Sequence, residues 1–394
     1  MINALTHLGD MPIEVFLRDY WQKKPLLIRN AFPQFESPVD GDELAGLSLE
    51  ADIESRIILE RGTTPWELRH GPFDEEAFTQ LPSSHWTLLV QAVDQWVPEV
   101  QDLLQHFRFI PNWRLDDIMV SYAADQGSVG PHFDYYDVFL LQGMGKRRWR
   151  IGQQCNVNTP RVEDTPLNIV SEFHQQEEWV LEPGDMLYVP PGVAHWGIAE
   201  GECITYSVGF RAPSHAEVVD ELSQDLLFGL TDDQRFSDPD LQVQANPGEI
   251  SPTAIGQIKQ IMLDQLTDDH ITQWFGRYMT ERKYGDEDSA SDAVEIDEWQ
   301  AALQQDVLLW RHPAARLAYF RQQENAVLFA DGAALTCTLA FAELVCRELE
   351  LDYAQLQPLL TEEQNIQALH ALINQDTLLL DDGDEDDEDE ETDA

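Results

Sequence analysis

Apolar positions along this chain recur with two different periods, and the change of period divides it. Ile13, Phe16, Leu17 and Tyr20 fall on one side of a helix predicted over residues 12–20. A short apolar strand over 25–28 follows. Residues 37–105 mix helical stretches with a hairpin expected around 63–73. From about Asp117 the texture becomes short strands punctuated by turns, at 117–123, 137–144 and 147–151, with Gly143-Met144-Gly145 expected to reverse the chain between the last two. Further strands are expected at 178–181, 185–189, 195–198 and 203–210, separated by Pro183-Gly184 and Pro190-Pro191-Gly192. Many short strands with Gly/Pro turns predict an all-β barrel or jelly roll. After Arg211-Ala212-Pro213 the period turns helical, over 214–230 and then 251–275, where Ser251-Pro252 opens a helix with Ile255, Ile258, Met262 and Leu266 in register. The acidic stretch 285–298 reads as a linker running into a helix. A hairpin at 316–321 and 326–329 and a helix over 334–348 complete a group resembling a small winged helix.

Length and charge narrow the picture. A chain of 394 residues exceeds the usual single core, so two or three domains are expected. Residues 1–30 hold no uninterrupted apolar stretch of the kind a signal peptide needs, and no run approaches the roughly 18–20 apolar residues of a membrane span, so a cytoplasmic protein without membrane contact is expected. Cys155, Cys203, Cys337 and Cys346 form no C-x-x-C pair, which fits free thiols in a reducing compartment and gives no support to a zinc ribbon. The formal charge is −49; the eleven acids between 381 and 393, a tail expected to be disordered, still leave −38 on the residues before them. Such a surface repels nucleic acid and anionic lipid. It either serves solubility alone or attracts a basic partner.

The chemistry concentrates in Gly130-Pro131-His132-Phe133-Asp134-Tyr135-Tyr136-Asp137. In an extended strand, side chains at i and i+2 share a side, so His132 and Asp134 can both reach one ion. His195 follows 61 residues after Asp134, just past the Pro190-Pro191-Gly192 turn. Two imidazoles and one carboxylate on one face of an ion form the facial triad of non-haem iron(II) oxygenases, and they leave positions open for a bidentate keto acid and for dioxygen. H-x-D alone is a weak motif, and its value comes from this β-rich context. A dicarboxylate co-substrate needs a partner for its far end, which a guanidinium supplies with two parallel hydrogen bonds. Within 146–150, alternation sets Arg147 and Trp149 on one face and Lys146, Arg148 and Arg150 on the other, with Arg147 expected on a strand returning beside 137–142. Four bases within five residues call for an anionic partner in so acidic a chain, although basic residues also guard strand edges. Ser121, Thr205 and Ser207 can offer hydroxyls to the same pocket, or serve as ordinary core hydroxyls. Tyr135, Tyr136 and Asp137 are candidates for a substrate channel, with packing the favoured role for the tyrosines. His85, His174 and His215 have no ligand-like context.

Together these segments resemble the bacterial JmjC-type ribosomal oxygenases, a branch of the cupin superfamily. The resemblance is carried by FLRDYWQKKPLLIR (16–29), DDIMVSY (116–122), GPHFDYYDVF (130–139), QGMGKRRWR (142–150) and YSVGFRAP (206–213), and it covers nearly the whole chain before the tail. It implies a mixed α and β fold: a double-stranded β-helix catalytic domain over 1–212, a helical dimerisation region over 213–278, and a winged-helix domain over 279–380. It also implies an enzyme using Fe(II), 2-oxoglutarate and O2, with His132, Asp134 and His195 as iron ligands and Arg147 as the 2-oxoglutarate partner. Ser121 matches a position near substrate or co-substrate, whereas Thr205 stands where asparagine is expected. The implied reaction is hydroxylation of an arginine side chain in the sixteenth protein of the large ribosomal subunit, by a cytoplasmic homodimer. Histidyl hydroxylation by the same mechanism, lysine demethylation, and a non-catalytic cupin-like scaffold are the rival readings.

Overall fold

The computed structural model describes residues 4–60, 66–284 and 293–380. The chain divides into two compact units that meet at Ala212 and Pro213.

The first unit opens with a two-residue ladder, β1 (His7–Leu8) on β2 (Met11–Pro12), and the helix α1 (Ile13–Asp19). β3 (Leu26–Ile28), α2 (Gly41–Leu47), β4 (Ser55–Glu60), β5 (Trp66–His70), α3 (Glu75–Thr79), β6 (Trp86–Val90) and α4 (Pro98–His106) come next. Then follow β7 (Leu115–Ala123), β8 (Val138–Gln154), β9 (Glu177–Leu181), β10 (Met186–Val189) and β11 (Val193–Phe210). All but the first ladder belong to one antiparallel sheet, ordered β3-β10-β8-β11-β7-β6-β4-β5, with β9 added on β8. The expected hairpin therefore starts earlier than its turn residues implied, pairing β4 with β5, and 61–65 lie outside the described residues.

Two long bent strands hold this sheet together, where the sequence predicted four short ones. Gly143-Met144-Gly145 does not reverse the chain. β8 runs through it, pairing with β10 over Val138–Leu141 and with β9 over Arg147–Ile151. β11 likewise joins the two segments expected at 195–198 and 203–210. Opposite Gly145 the register shifts between Glu200 and Ile204, so several residues of β11 face one of β8 and both strands bend. Gly145 sits at φ +64, and a Cβ there would lie 2.0 Å from the Glu202 carbonyl oxygen. Glycine is the residue that meets both demands, which explains why the triplet looked like a turn. Gly145→Val is expected to cost about 3 kcal/mol of stability, read as a lower urea midpoint with an unchanged slope.

Period-2 alternation decides what each face does. Ile118, Val120, Phe139, Leu141, Ile204, Tyr206 and Val208 point into the main core, where they meet Phe16 of α1, Leu44 of α2 and Leu103 of α4. Met119, Ser121, Val138, Leu140, Arg147, Trp149 and Ser207 point the other way and wall a cavity.

The second unit contains α5 (His215–Phe228), α6 (Pro252–Gln265), α7 (Asp268–Thr280), α8 (Ile296–Leu303), β12 (Leu309–Arg311), β13 (Leu317–Gln322), β14 (Asn325–Ala330), β15 (Ala333–Thr338), α9 (Leu339–Arg347), β16 (Glu350–Leu351), α10 (Tyr353–Leu356), α11 (Glu363–Asn374) and β17 (Leu378–Leu380). The single helix expected over 251–275 is two, because Thr267 accepts from the His270 N–H and starts a new helix with Asp268 and Asp269 in its first turn. The helix expected over 334–348 begins only at Leu339. The residues before it form β15, which turns the predicted hairpin into the three-stranded sheet β13-β14-β15. Trp299, Phe341, Val345, Leu369 and Leu372 fill a core beneath it. α5 and α6 bury none of their residues, and Leu227, Phe228, Ile255, Ile258 and Met262 stand more than half or about half exposed. The acidic tail and residues 285–292 of the expected linker lie outside the described residues.

Candidate metal centre and co-substrate cavity

Antiparallel pairing outside the main strands brings the distant histidine to the H-x-D motif. The His132 N–H donates to the His195 carbonyl at 3.1 Å and the His195 N–H to the His132 carbonyl at 2.8 Å, while Gly192 donates to the Asp134 carbonyl at 2.7 Å. Ser128 bridges Ile198 further along. This ladder fixes the two imidazoles with centroids 4.2 Å apart. Gly130, at φ +81, is what lets the segment enter: a Cβ there would stand 2.4 Å from Ile169 and 2.9 Å from Trp66.

Donor atoms of His132, Asp134 and His195 all lie within 4.8 Å of one another. The Asp134 carboxylate stands 3.9 Å from His132 Nε2 and 3.5 Å from His195 Nε2. Each ring turns Nδ1 to a backbone carbonyl, Gly130 at 2.9 Å and Val193 at 3.1 Å, and this orientation leaves both Nε2 atoms on the side of the carboxylate. Such a donor set, two nitrogens and an oxygen at one corner, fits a divalent transition ion and leaves part of its coordination open.

Burial pushes the His195 imidazole down to about 4, with His132 acting in the same direction and Asp134 opposing. The ring is therefore neutral, as a ligand must be. Against an ordinary value near 6.5, this depressed group contributes stability that is present above pH ~6.5 and is lost as pH falls toward 4. In the metal-free protein, wild type should lose about 3 kcal/mol relative to His195→Leu between pH 7 and 4, as measured by urea unfolding. Parallel curves would refute it.

The cavity, about 260 Å³, is walled by the triad, by Ser121, Ser207, Arg147 and Trp149, and by apolar residues such as Ile58, Met119, Leu140 and Ile169. Arg147 is buried in it. Its Nη1 donates to Ser121 Oγ at 3.0 Å and to Thr205 Oγ1 at 3.2 Å, its Nε has no acceptor, and among the described residues no carboxylate pairs with it. Burial lowers its pKa, since a charged guanidinium without a counter-ion is poorly solvated there. The other three bases of the cluster find anions within the chain: Lys146 with Glu182, Arg148 with Glu178 and Glu200, and Arg150 with Glu178. The face assignment of 146–150 holds, although Arg147 lies on the same strand as 138–142 and not on a returning one.

Ser121 and Thr205 reach the cavity's guanidinium, and Thr205 Oγ1 also donates to Gln142 Oε1 at 3.3 Å; Ser207 reaches the cavity wall. Of the channel candidates, only Tyr136 lines the cavity; it is 44% exposed, not packed away. Tyr135 is exposed and meets Phe133 edge-on, while Asp137 is fully buried, bound by Tyr188 Oη at 2.6 Å, Gln22 Nε2 at 2.9 Å and Arg114 at 3.2 Å, so it does not line a channel. Sequence reading missed Arg56 and Asn168 on the wall. Arg56 shares its strand face with Ile58, a legible parity, but its place at the cavity depends on β4 joining β7 through β6. Asn168 lies in an irregular segment with no period to read.

An antiparallel sheet core of the double-stranded β-helix kind, with two imidazoles, one carboxylate and a buried unpaired guanidinium, defines a non-haem oxygenase of the 2-oxoglutarate type. Known proteins agree. Residues 102–218 match the JmjC domain model and 259–379 the ROXA-like winged helix. The chain is 37% identical over 270 residues to the ribosomal protein uL16 3-hydroxylase of Escherichia coli (strain K12), covering 68% of this chain and 71% of that one. It is 39% identical over 259 residues to a probable ribosomal oxygenase of Haemophilus influenzae, covering 64% of each. The structure of the ribosomal oxygenase YcfD from Escherichia coli in complex with cobalt and 2-oxoglutarate superposes with a TM-score of 0.83 at 31% identity, over 95% of this chain and 99% of that one. The chain belongs to the JmjC-domain ribosomal oxygenases, enzymes of the iron(II)- and 2-oxoglutarate-dependent protein hydroxylase class. Among the described residues, no helix is long and apolar enough to cross a membrane.

Proposed function

We propose that this chain hydroxylates an arginine side chain of the large-subunit ribosomal protein uL16. The observation that carries the reading is Arg147: a buried cation without a carboxylate partner, in the cavity that also holds the three metal donors. His132, Asp134 and His195 would hold iron(II), and Arg147, backed by Ser121 and Thr205, would hold the far carboxylate of 2-oxoglutarate. Iron(II) with 2-oxoglutarate and dioxygen supplies the oxidation, in which the keto acid becomes succinate and carbon dioxide as one oxygen atom enters a C–H bond. The chain's own residues bind and orient. The two Nδ1–carbonyl bonds keep both Nε2 atoms facing inward, and the apolar wall of Ile58, Leu89, Met119 and Ile169 excludes water from the reacting carbon.

The relative named for uL16 and the net charge of −49 support a basic ribosomal protein as the substrate, met in the cytoplasm. RNA would be repelled. Two copies of the chain would pair through the apolar faces of α5 and α6, which bury nothing within one chain. In this division 1–212 is catalytic, 213–278 dimeric and 279–380 the winged helix.

The test is incubation with iron(II), 2-oxoglutarate and uL16, followed by peptide fragmentation. One added oxygen on an arginine is expected; the same mass on a histidine would make it a histidyl hydroxylase, and binding without any mass change a scaffold. Raising the salt should raise KM for uL16 with little change in kcat, since screening weakens encounter more than chemistry.

A further inference from the structure

Two residues beyond Arg147 on the same face of β8, Trp149 walls the cavity and is 4% exposed. Its six-membered ring lies against the backbone of Gly197, its cross-strand partner, where a Cβ would stand 2.8 Å from Cη2 and Cζ3. The Arg147 guanidinium is 5.4 Å from the ring and the His195 imidazole 5.9 Å. This seat provides contact but no acceptor: the Trp149 Nε1–H is buried and makes no hydrogen bond. An indole nitrogen can only donate, and a buried one normally finds a partner. The register sets Ile151 beside His195, Trp149 beside Gly197 and Arg147 beside Ala199, so Trp149 occupies the row between the metal donors and the guanidinium. Arg147 Nε and Trp149 Nε1 are thus two buried donors without acceptors, carried by neighbouring cavity-lining residues of one strand face.

We infer that the Trp149 indole N–H donates to a carboxylate oxygen of bound 2-oxoglutarate, as a second anchor beside Arg147. This rests on the reading of the cavity given under the proposed function. Trp149 is then a co-substrate-binding residue and not only part of the apolar cluster with Val138, Leu140 and Leu187.

Trp149→Phe keeps an aromatic ring and removes the donor. In isothermal titration of 2-oxoglutarate into the Mn(II)-loaded full chain, its Kd should rise roughly 10- to 100-fold, with Mn(II) affinity within about twofold of wild type. Trp149→His, which returns an N–H in a ring, should recover part of the loss, whereas a purely structural role would show no such rescue. An unchanged Kd in Trp149→Phe overturns the inference. Arg147→Met in the same titration separates the two ideas, because a silent Arg147→Met refutes the cavity reading itself. Should the Trp149 variants not fold, indole N–H spectra of the Zn(II)-loaded wild type decide: a resonance moving downfield on saturation with 2-oxoglutarate supports the bond, and no movement among the indoles refutes it.

Discussion

Arg147→Met is expected to raise the Kd for 2-oxoglutarate by roughly two to three orders of magnitude while leaving metal affinity nearly intact. Solvation of the guanidinium differs between the empty and the occupied cavity. A guanidinium buried without a counter-ion is poorly stabilised, and a dicarboxylate entering the cavity neutralises it and offers it charged acceptors. Breaking a buried charge pair by removing one partner typically costs about 3–5 kcal/mol, because the other charge stays uncompensated. Methionine fills a similar volume with no donor, so packing against Trp149 is largely kept. The protein without co-substrate should be no less stable, and even somewhat more so, since an unpaired buried charge has gone. Arg147→Lys should fall between the two, because an ammonium lacks the planar fork that meets a carboxylate with two bonds. Calorimetric titration and a melting curve on the same samples check both halves of this prediction.

The second large effect is His132→Ala, which should lower hydroxylation by roughly 1000-fold or more. Losing one of the three proposed ligands should remove metal affinity and the several kcal/mol of stabilisation that a bound ion supplies. His132 is also one half of the backbone pair with His195, but that pairing uses main-chain groups and survives the substitution. The fold should therefore persist, with a far-ultraviolet spectrum matching wild type, while turnover disappears. A variant that unfolds would point to a structural role, and one that keeps full turnover would remove His132 from the ligand set.

Much of the site was legible before the fold was known, for local reasons. His132 and Asp134 stand two residues apart, and Arg147 and Trp149 do likewise, so period-2 geometry alone puts each pair on one face. The ladder between 128–134 and 192–198 was not legible, because nothing in the spacing of His195 tells which backbone it will pair with. Glycine misled where two roles share one residue type. At Gly145 a left-handed backbone and a close carbonyl serve a bend in a continuous strand, yet the triplet reads as a reversal. From the sequence, Ser121 and Thr205 could serve either the pocket or the core, and the sheet order β8-β11-β7 is what brings both to the same guanidinium nitrogen. Asp137 shows the reverse error, since proximity in sequence to the motif says nothing about side, and just before β8 its carboxylate turns inward against Tyr188 and Arg114. In the second unit, the Thr267 cap and the β15 strand were hidden by apolar periodicity that continues through them.

One ferrous ion and one 2-oxoglutarate are expected to share this cavity, the ion on three side chains and the acid under Arg147. An anaerobic absorption titration tests it most directly. Adding iron(II) and then 2-oxoglutarate should produce a visible charge-transfer band that saturates at one equivalent of each, absent from His132→Ala and requiring far more 2-oxoglutarate in Arg147→Met. No band in the wild type, or one of full strength and unchanged affinity in both variants, would contradict the account.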